Sequence, residues 1–274
     1  MIEFQLARSN PVSEEVLATN TMQKIPDVRP VPQSMQTAFA EKRALSCVWF
    51  AMGSTPLVEI GMTAEPDLIV IDRQHGLWER TALEAVIGQV RHQVPVIVRV
   101  SENSAQAISE ALDAGAASAL VPLIESADEA RRAVSFGRYP PFGQRSAGGV
   151  RPLIAGMAAI KNDGERISIG VMIETVAGVE QVEAIASVEG LGYLFIGTGD
   201  LSLSRGDVAP DVIDEDCARI LKAARANNLP CGIYTGSTQA ALAARVLGFD
   251  FVVAASDIEV VRAGFEQAVT ALKD

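Results

Sequence analysis

The segments LIVIDRQH (68–75), ERTALEAVIGQVRHQ (79–93) and VPVIVRVS (94–101), nearly continuous in the chain, decide the fold. The first and third are short apolar runs rich in β-branched residues, while the middle one repeats its apolar residues at intervals of three and four. An apolar strand, an amphipathic helix and a second apolar strand make a βαβ unit, in which the strands run parallel and helices cover the sheet. The same alternation extends in both directions. Strand candidates are ALSCVWFAM (44–52), the two above, ASALVPLI (117–124), ISIGVMIET (167–175), LGYLFIGTGD (191–200), LPCGIYTG (229–236) and GFDFVVAASD (248–257). Helical patterns such as SAQAISEALDAGA, SADEARRAVSFG and STQAALAARVLG lie between them.

Eight repeats allow the sheet to close, so the spacing predicts a (β/α)8 barrel, the TIM-barrel form of the α/β class, rather than an open doubly wound sheet. No G-x-G-x-x-G turn follows the first strand. The 274 residues exceed the roughly 200 to 250 that such a barrel commonly needs. We assign the excess to an N-terminal extension, residues 1–34, in which Pro26, Pro30 and Pro32 interrupt regular structure, followed by a single barrel domain, 35–274. One connection is longer than a helix requires. It contains RYPPFGQRSAGGVRP (138–152), expected at the active face of the barrel.

Hydrophobic residues make up 49% of the chain, enough for a large buried core. Lys plus Arg total 23 against 34 Asp plus Glu, a net charge of −11 that disfavours phosphate backbones and anionic lipid surfaces as partners. Cys47, Cys217 and Cys231 show no metal-ligand spacing and suit a reducing cytoplasm better than a disulfide framework. The N-terminus lacks signal-peptide order and no run is long enough to span a membrane, so a soluble cytoplasmic protein is expected.

In such barrels, the chemistry sits at the carboxyl ends of the strands. The polar residues there are Asp72, Gln74 and His75 after the second strand, Arg99 and Ser101 at the third, Glu125 after the fourth, Glu174 at the fifth, Asp200 at the sixth, Tyr234 at the seventh, and Ser256 and Asp257 at the eighth. Oxygen ligands dominate. Glu174 and Asp200, converging on the mouth, suit Mg²⁺ or Mn²⁺ completed by water and substrate. The competing reading has Asp200 capping the next helix and Glu174 pairing with an arginine. Gly197 and Gly199 either let backbone N–H groups approach a bound carboxylate or form a plain tight turn. His75, three residues after Asp72, is placed for proton transfer with that carboxylate fixing its tautomer. His92 falls at the opposite barrel end and is expected at the surface. Arg99 is carried into the mouth by an apolar strand, either to hold an anion or to pair with Glu174 or Asp72. No lysine ends a strand candidate, which argues against Schiff-base chemistry.

The ordered set DRQHG (72–76), VPVIVR (94–99), LVPLIESADEARRAV (120–134), RYPPFGQRS (138–146), IET (173–175) and FIGTGDLS (195–202) closely resembles the metal-dependent class II pyruvate aldolases typified by 4-hydroxy-2-oxoheptanedioate aldolase, of the phosphoenolpyruvate/pyruvate barrel superfamily. The resemblance runs from about Ala44 to the C-terminus. It implies reversible cleavage of a 4-hydroxy-2-oxo acid into pyruvate, or hydroxypyruvate, and an aldehyde through a metal-stabilised enolate, with Mg²⁺, Mn²⁺ or Co²⁺ as cofactor. By the same resemblance, Glu174 and Asp200 hold the metal and Arg99 binds the pyruvyl oxygen. His75 with Asp72 handles the proton together with a metal-bound water, while Gly197, Gly199 and the backbone of Asp200 receive the substrate carboxylate. Gln74 and Arg145 join the substrate-contacting set, with Asp113 and Arg145 in supporting or subunit-interface positions.

The resemblance further implies a hexamer built as a trimer of dimers that exchange the last helix. Departures from the pattern are Arg73-Gln74 where many members have Gly-Glu, and Met172 where some have glutamine. The alternatives are a citrate-synthase-like siderophore enzyme, a lyase acting on CoA thioesters, or a noncatalytic metabolite-binding barrel.

Overall fold

The computed structural model describes residues 32–273, apart from 42, 159 and 161–165. Residues 1–31 of the expected extension lie outside the described residues. Each strand candidate contains one strand: β1 Leu45–Phe50, β2 Leu68–Asp72, β3 Val96–Arg99, β4 Ser118–Val121, β5 Ser168–Ile173, β6 Tyr193–Ile196, β7 Cys231–Tyr234 and β8 Phe251–Ser256. All eight pair in parallel and in chain order, with β8 returning to β1 to close the barrel. This is the expected (β/α)8 architecture.

Aromatic rings fill the barrel interior. Trp49, Tyr193, Phe195 and Phe251 pack in sequence at centroid separations of 5.9, 5.5 and 5.4 Å for the pairs 49–195, 195–251 and 193–251. Glycines in neighbouring strands make the room, because a Cβ at Gly170 or Gly232 would come within 2.1 or 2.2 Å of the Tyr193 or Phe251 ring. Below them a short helix, Met35–Phe39, capped by the Ser34 side chain, sets Phe39 5.8 Å from the Phe251 ring. The interior is therefore a packed core rather than a pore, which leaves the mouth as the place for chemistry.

The base is held by saturated polar contacts. Asp67, just before β2, accepts hydrogen bonds from the Ser46 N–H and hydroxyl, each at 2.8 Å, and from two nitrogens of Arg43, one at 2.8 Å. The Arg43 hydrogen bonds are the main reason its carboxyl is pulled down to about 2.

Two expectations need correction. The segment 138–152 lies at the base, because it follows helix Ala127–Gly137 and each helix runs back from mouth to base; Gln144 N–H and Arg145 N–H tie it to Ser135 O and Arg138 O at 2.7 and 2.8 Å. His92 does lie at the opposite end from the mouth, immediately before the strand-entry segment of β3, but it is half-buried, and its Nδ1 is enclosed with no partner. Cys47, Cys217 and Cys231 are free thiols. Among the described residues no helix is long and apolar enough to cross a membrane.

Candidate active site

Asp72 and Arg99 are the last residues of β2 and β3, and the sheet register sets them side by side. Alternation in these buried strands turns both side chains into the mouth, where Asp72 is 2% and Arg99 8% exposed. Arg99 grips the carboxylate with two nitrogens, Nε to Oδ1 at 2.9 Å and Nη2 to Oδ2 at 2.5 Å. The face of the guanidinium lies 4.9 Å from the Trp49 ring centre, and Trp49 Nε1 donates to Asp72 Oδ2 at 3.4 Å. Burial alone would raise the Asp72 carboxyl, but the hydrogen bonds and charge of Arg99 outweigh it and hold the group below its ordinary value. The arginine is thus a fixed planar donor whose Nη1 forms no hydrogen bond to Asp72. The sequence left open whether Arg99 pairs with Asp72 or Glu174. The structure gives Asp72.

That pairing redirects Asp72 away from its expected partner. Its Oδ1 also accepts the backbone N–H groups of Gln74 and His75, at 3.0 and 3.3 Å, so it anchors the His75 main chain, not the imidazole. The His75 side chain is exposed and makes no hydrogen bond among the described residues. A bidentate arginine and two amides occupy the carboxylate that was expected to fix the tautomer. Arg73 donates to Trp78 O and lies 3.9 Å from Glu110, so its charge is met there. Gln74 is half-buried with Oε1 unpartnered.

Across the mouth, Glu174 follows β5 and is 1% exposed. Its Oε1 accepts the Leu123 N–H at 2.8 Å, an amide aimed by a left-handed backbone turn, φ 54°, unusual for leucine. Its Oε2 is buried and has no partner. Burial first, then the nearby charge of Asp200, push Glu174 up to about 7. Gly197 is required here because a Cβ would stand 2.2 Å from Glu174 Oε2. Gly197 is also the residue that starts helix Thr198–Arg205, with no side-chain cap bond, so Asp200 in its first turn is not the helix cap. Around Gly199 there is open space, with nothing within 4 Å of a Cβ.

The structure thus brings Asp72, Arg99, Glu174, Gly197, Gly199, Asp200 and the His75 loop to the mouth. Arg145 is not among them. It is 3% exposed at the base, bonded through Nη2 to Asp113 at 2.7 Å and stacked 4.7 Å from the Tyr139 ring centre, because its loop is an αβ return connection. Conversely, Trp49, which holds both Arg99 and Asp72, was read only as part of an apolar strand. Its indole N–H one residue from a strand end was the available signal.

The donor set suits a hard divalent cation. It offers oxygen only, an enclosed carboxylate oxygen without a partner, and a second acid close enough to raise the first. Among the described residues no cluster of three or more His, Cys, Asp or Glu side chains could hold a metal, so two carboxylates would need completion by water and substrate.

A closed parallel barrel with these groups at the strand carboxyl ends has the organisation of the (β/α)8 enzymes. A family model described as HpcH/HpaI aldolase/citrate lyase matches residues 45–264. A 5-keto-4-deoxy-D-glucarate aldolase of Salmonella arizonae is 31% identical over 250 residues, spanning 88% of this chain and 97% of that protein. A hydroxypyruvate/pyruvate aldolase of Paraburkholderia phytofirmans is 32% identical over 238 residues, 82% and 91% of the two chains. The crystal structure of a HpcH/HpaI aldolase/citrate lyase family protein from Burkholderia cenocepacia superposes with TM-score 0.80 at 28% identity, covering 87% of this chain and 98% of that one. The chain belongs to the HpcH/HpaI aldolase/citrate lyase family. It is an enzyme, an aldolase that makes and breaks carbon–carbon bonds.

Proposed function

We propose that this aldolase reversibly cleaves a 4-hydroxy-2-oxo acid to pyruvate or hydroxypyruvate and an aldehyde, at the mouth between Arg99 and the Glu174–Asp200 pair. The observation that carries the reading is the bare, buried Oε2 of Glu174, next to a second acid and across from a pre-oriented arginine. Glu174 and Asp200 would hold a divalent cation, Mg²⁺, Mn²⁺ or Co²⁺, whose Lewis acidity polarises the 2-oxo acid. Arg99, locked by Asp72 and Trp49, donates to the oxygen on which enolate charge develops, without reorganising during the reaction. Gly199 leaves room for the substrate carboxylate to approach the N–H groups that open helix Thr198–Arg205, with Gly197 keeping the Glu174 side clear. His75 moves the proton between the aldol hydroxyl and solvent, its main chain anchored by Asp72 and its ring free to reach substrate. Gln74, whose Oε1 is buried without a partner, completes the proposed substrate-contacting set.

Turnover of pyruvate or hydroxypyruvate with a panel of aldehydes, before and after chelation and metal restoration, tests this. Full activity in excess chelator refutes the metal role. Turnover only with oxaloacetate or CoA thioesters would instead favour the citrate-synthase-like or CoA-lyase alternative.

The catalytic domain is taken as 35–274, after the extension 1–34, in the cytoplasm. The last helix, Asp257–Thr270, has only Asp257 buried and exposes Phe265 to 69% and Val260 to 59%. Such an apolar helix supports a homo-oligomer, a hexamer of three dimers exchanging that helix, which light scattering would weigh.

A further inference from the structure

Asp257 is the first residue of the last helix and is 6% exposed, yet it serves more than its own helix. Its Oδ1 accepts the Ala51 and Ile258 N–H groups at 3.0 and 2.9 Å, and its Oδ2 accepts those of Ala51 and Met52 at 3.1 and 2.9 Å. Two of the three amides belong to the turn after β1, on the far side of the β8–β1 seam. That turn is stitched to the loop that carries His75. Ala51 O accepts the Leu77 N–H at 2.7 Å, Phe50 O accepts Trp78 Nε1 at 3.0 Å, and a Cβ at Gly53 would lie 2.6 Å from Leu77 O. At Gly76 a Cβ would come within 2.1 Å of Asp72 O and 2.9 Å of Ala51 O, so the two turns touch backbone to backbone. The His75 ring itself has no hydrogen bond among the described residues. Within the chain its position is therefore set by the loop, and the loop hangs from Asp72 on one side and from the Ala51 peptide on the other.

We infer that Asp257 is a positioning residue: through the peptides of Ala51 and Met52 it fixes the loop that presents His75, and so couples the start of the last helix to proton transfer. Charge-assisted bonds to both amides of the β1 turn make this a firm hold on it. The inference rests on the proposed proton-handling role of His75, and the experiment separates the two.

A double-mutant cycle on the full chain with its metal, using Asp257→Ala, His75→Ala and the pair, is read out as kcat and KM for aldol cleavage and as exchange of the pyruvate methyl protons in deuterated water. Asp257→Ala alone is expected to lower kcat and exchange about tenfold to a hundredfold with KM little changed, because a catalytic group displaced by about an ångström loses that much. Asp257→Asn, which keeps one acceptor oxygen, should recover part of the loss. In the His75→Ala background the same change should alter kcat by less than about twofold, since the group it positions is gone. Ser126→Ala, which removes the cap of helix Ala127–Gly137 elsewhere in the barrel, is the control for a purely structural loss and should leave kcat unchanged. If Asp257→Ala does not fold, Asp257→Asn carries the same cycle. Independent, multiplying losses, or wild-type turnover in Asp257→Ala, overturn the positioning role while leaving His75 intact. Wild-type turnover in His75→Ala overturns the reading of His75 and the inference with it.

Discussion

Asp67 at the base and Glu174 at the mouth are carboxylates at opposite ends of one barrel, and they have opposite environments. Asp67 receives two bonds from Ser46 and two from Arg43, and its carboxyl is drawn down to about 2. Glu174 receives one amide, keeps an oxygen bare, faces another acid and is pushed up to about 7. A group whose hydrogen bonds are complete stabilises the fold. One that is buried and incomplete costs stability in the empty protein and marks a candidate binding site.

The largest effect that would sharpen this contrast is at Glu174. Glu174→Ala or Asp200→Ala should abolish metal uptake, measured by calorimetry, and lower turnover on the order of a thousandfold, the scale of losing several kcal/mol of transition-state stabilisation. The melting temperature without metal should hold or rise in Glu174→Gln, since a buried, poorly partnered acid is removed. A large fall would show that the Glu174 carboxylate stabilises the empty protein.

Next comes Arg99→Lys, which keeps the charge but loses the planar fork held by Asp72 and Trp49. Turnover should fall about a hundredfold, the usual scale for one preorganised donor. A variant within about twofold of the parent would make the Asp72–Arg99 pair purely structural.

The two glycines before Asp200 make a finer test. Gly197→Ala forces a methyl group against Glu174 Oε2 and should lower turnover at least about tenfold, by the same positional argument. Gly199→Ala meets no protein atom and should leave kcat near that of the parent, while raising KM if the substrate carboxylate lies there.

The smallest effect on activity is expected at the base. Asp67→Ala should leave turnover unchanged but cost about 1–3 kcal/mol in urea unfolding, as bonded partners are orphaned. Because the folded Asp67 carboxyl is depressed, its contribution is complete above the ordinary carboxylate range near pH 4 and is lost as pH falls toward about 2. Unfolding measured from pH 5 down to 2.5 should therefore show a shallower acid loss in Asp67→Ala than in the parent.

The strand-end rule brought Asp72, Arg99, Glu174 and Asp200 to one mouth from sequence alone, because the register of a parallel barrel follows from apolar alternation and chain order. It failed where the partner of a side chain mattered. Asp72 was expected to hold the His75 imidazole, with pairing to Arg99 only an open alternative, and β2–β3 register makes Arg99, 27 residues away in the chain, its partner. The motif put Arg145 both in the substrate-contacting set and, with Asp113, in a supporting or interface position; within the chain it lies at the base and pairs with Asp113.

The repeating period of apolar residues determined the eight strands, the closure and the end of the barrel where chemistry belongs, since those depend on local pattern repeated along the chain. The tertiary structure alone decided which oxygen is saturated and which is bare, that Trp49 and Asp72 share Arg99, and that Asp257 reaches the turn after β1. These depend on which distant residues are brought within about 3 Å, the reach of a hydrogen bond, and no spacing along the chain encodes that distance.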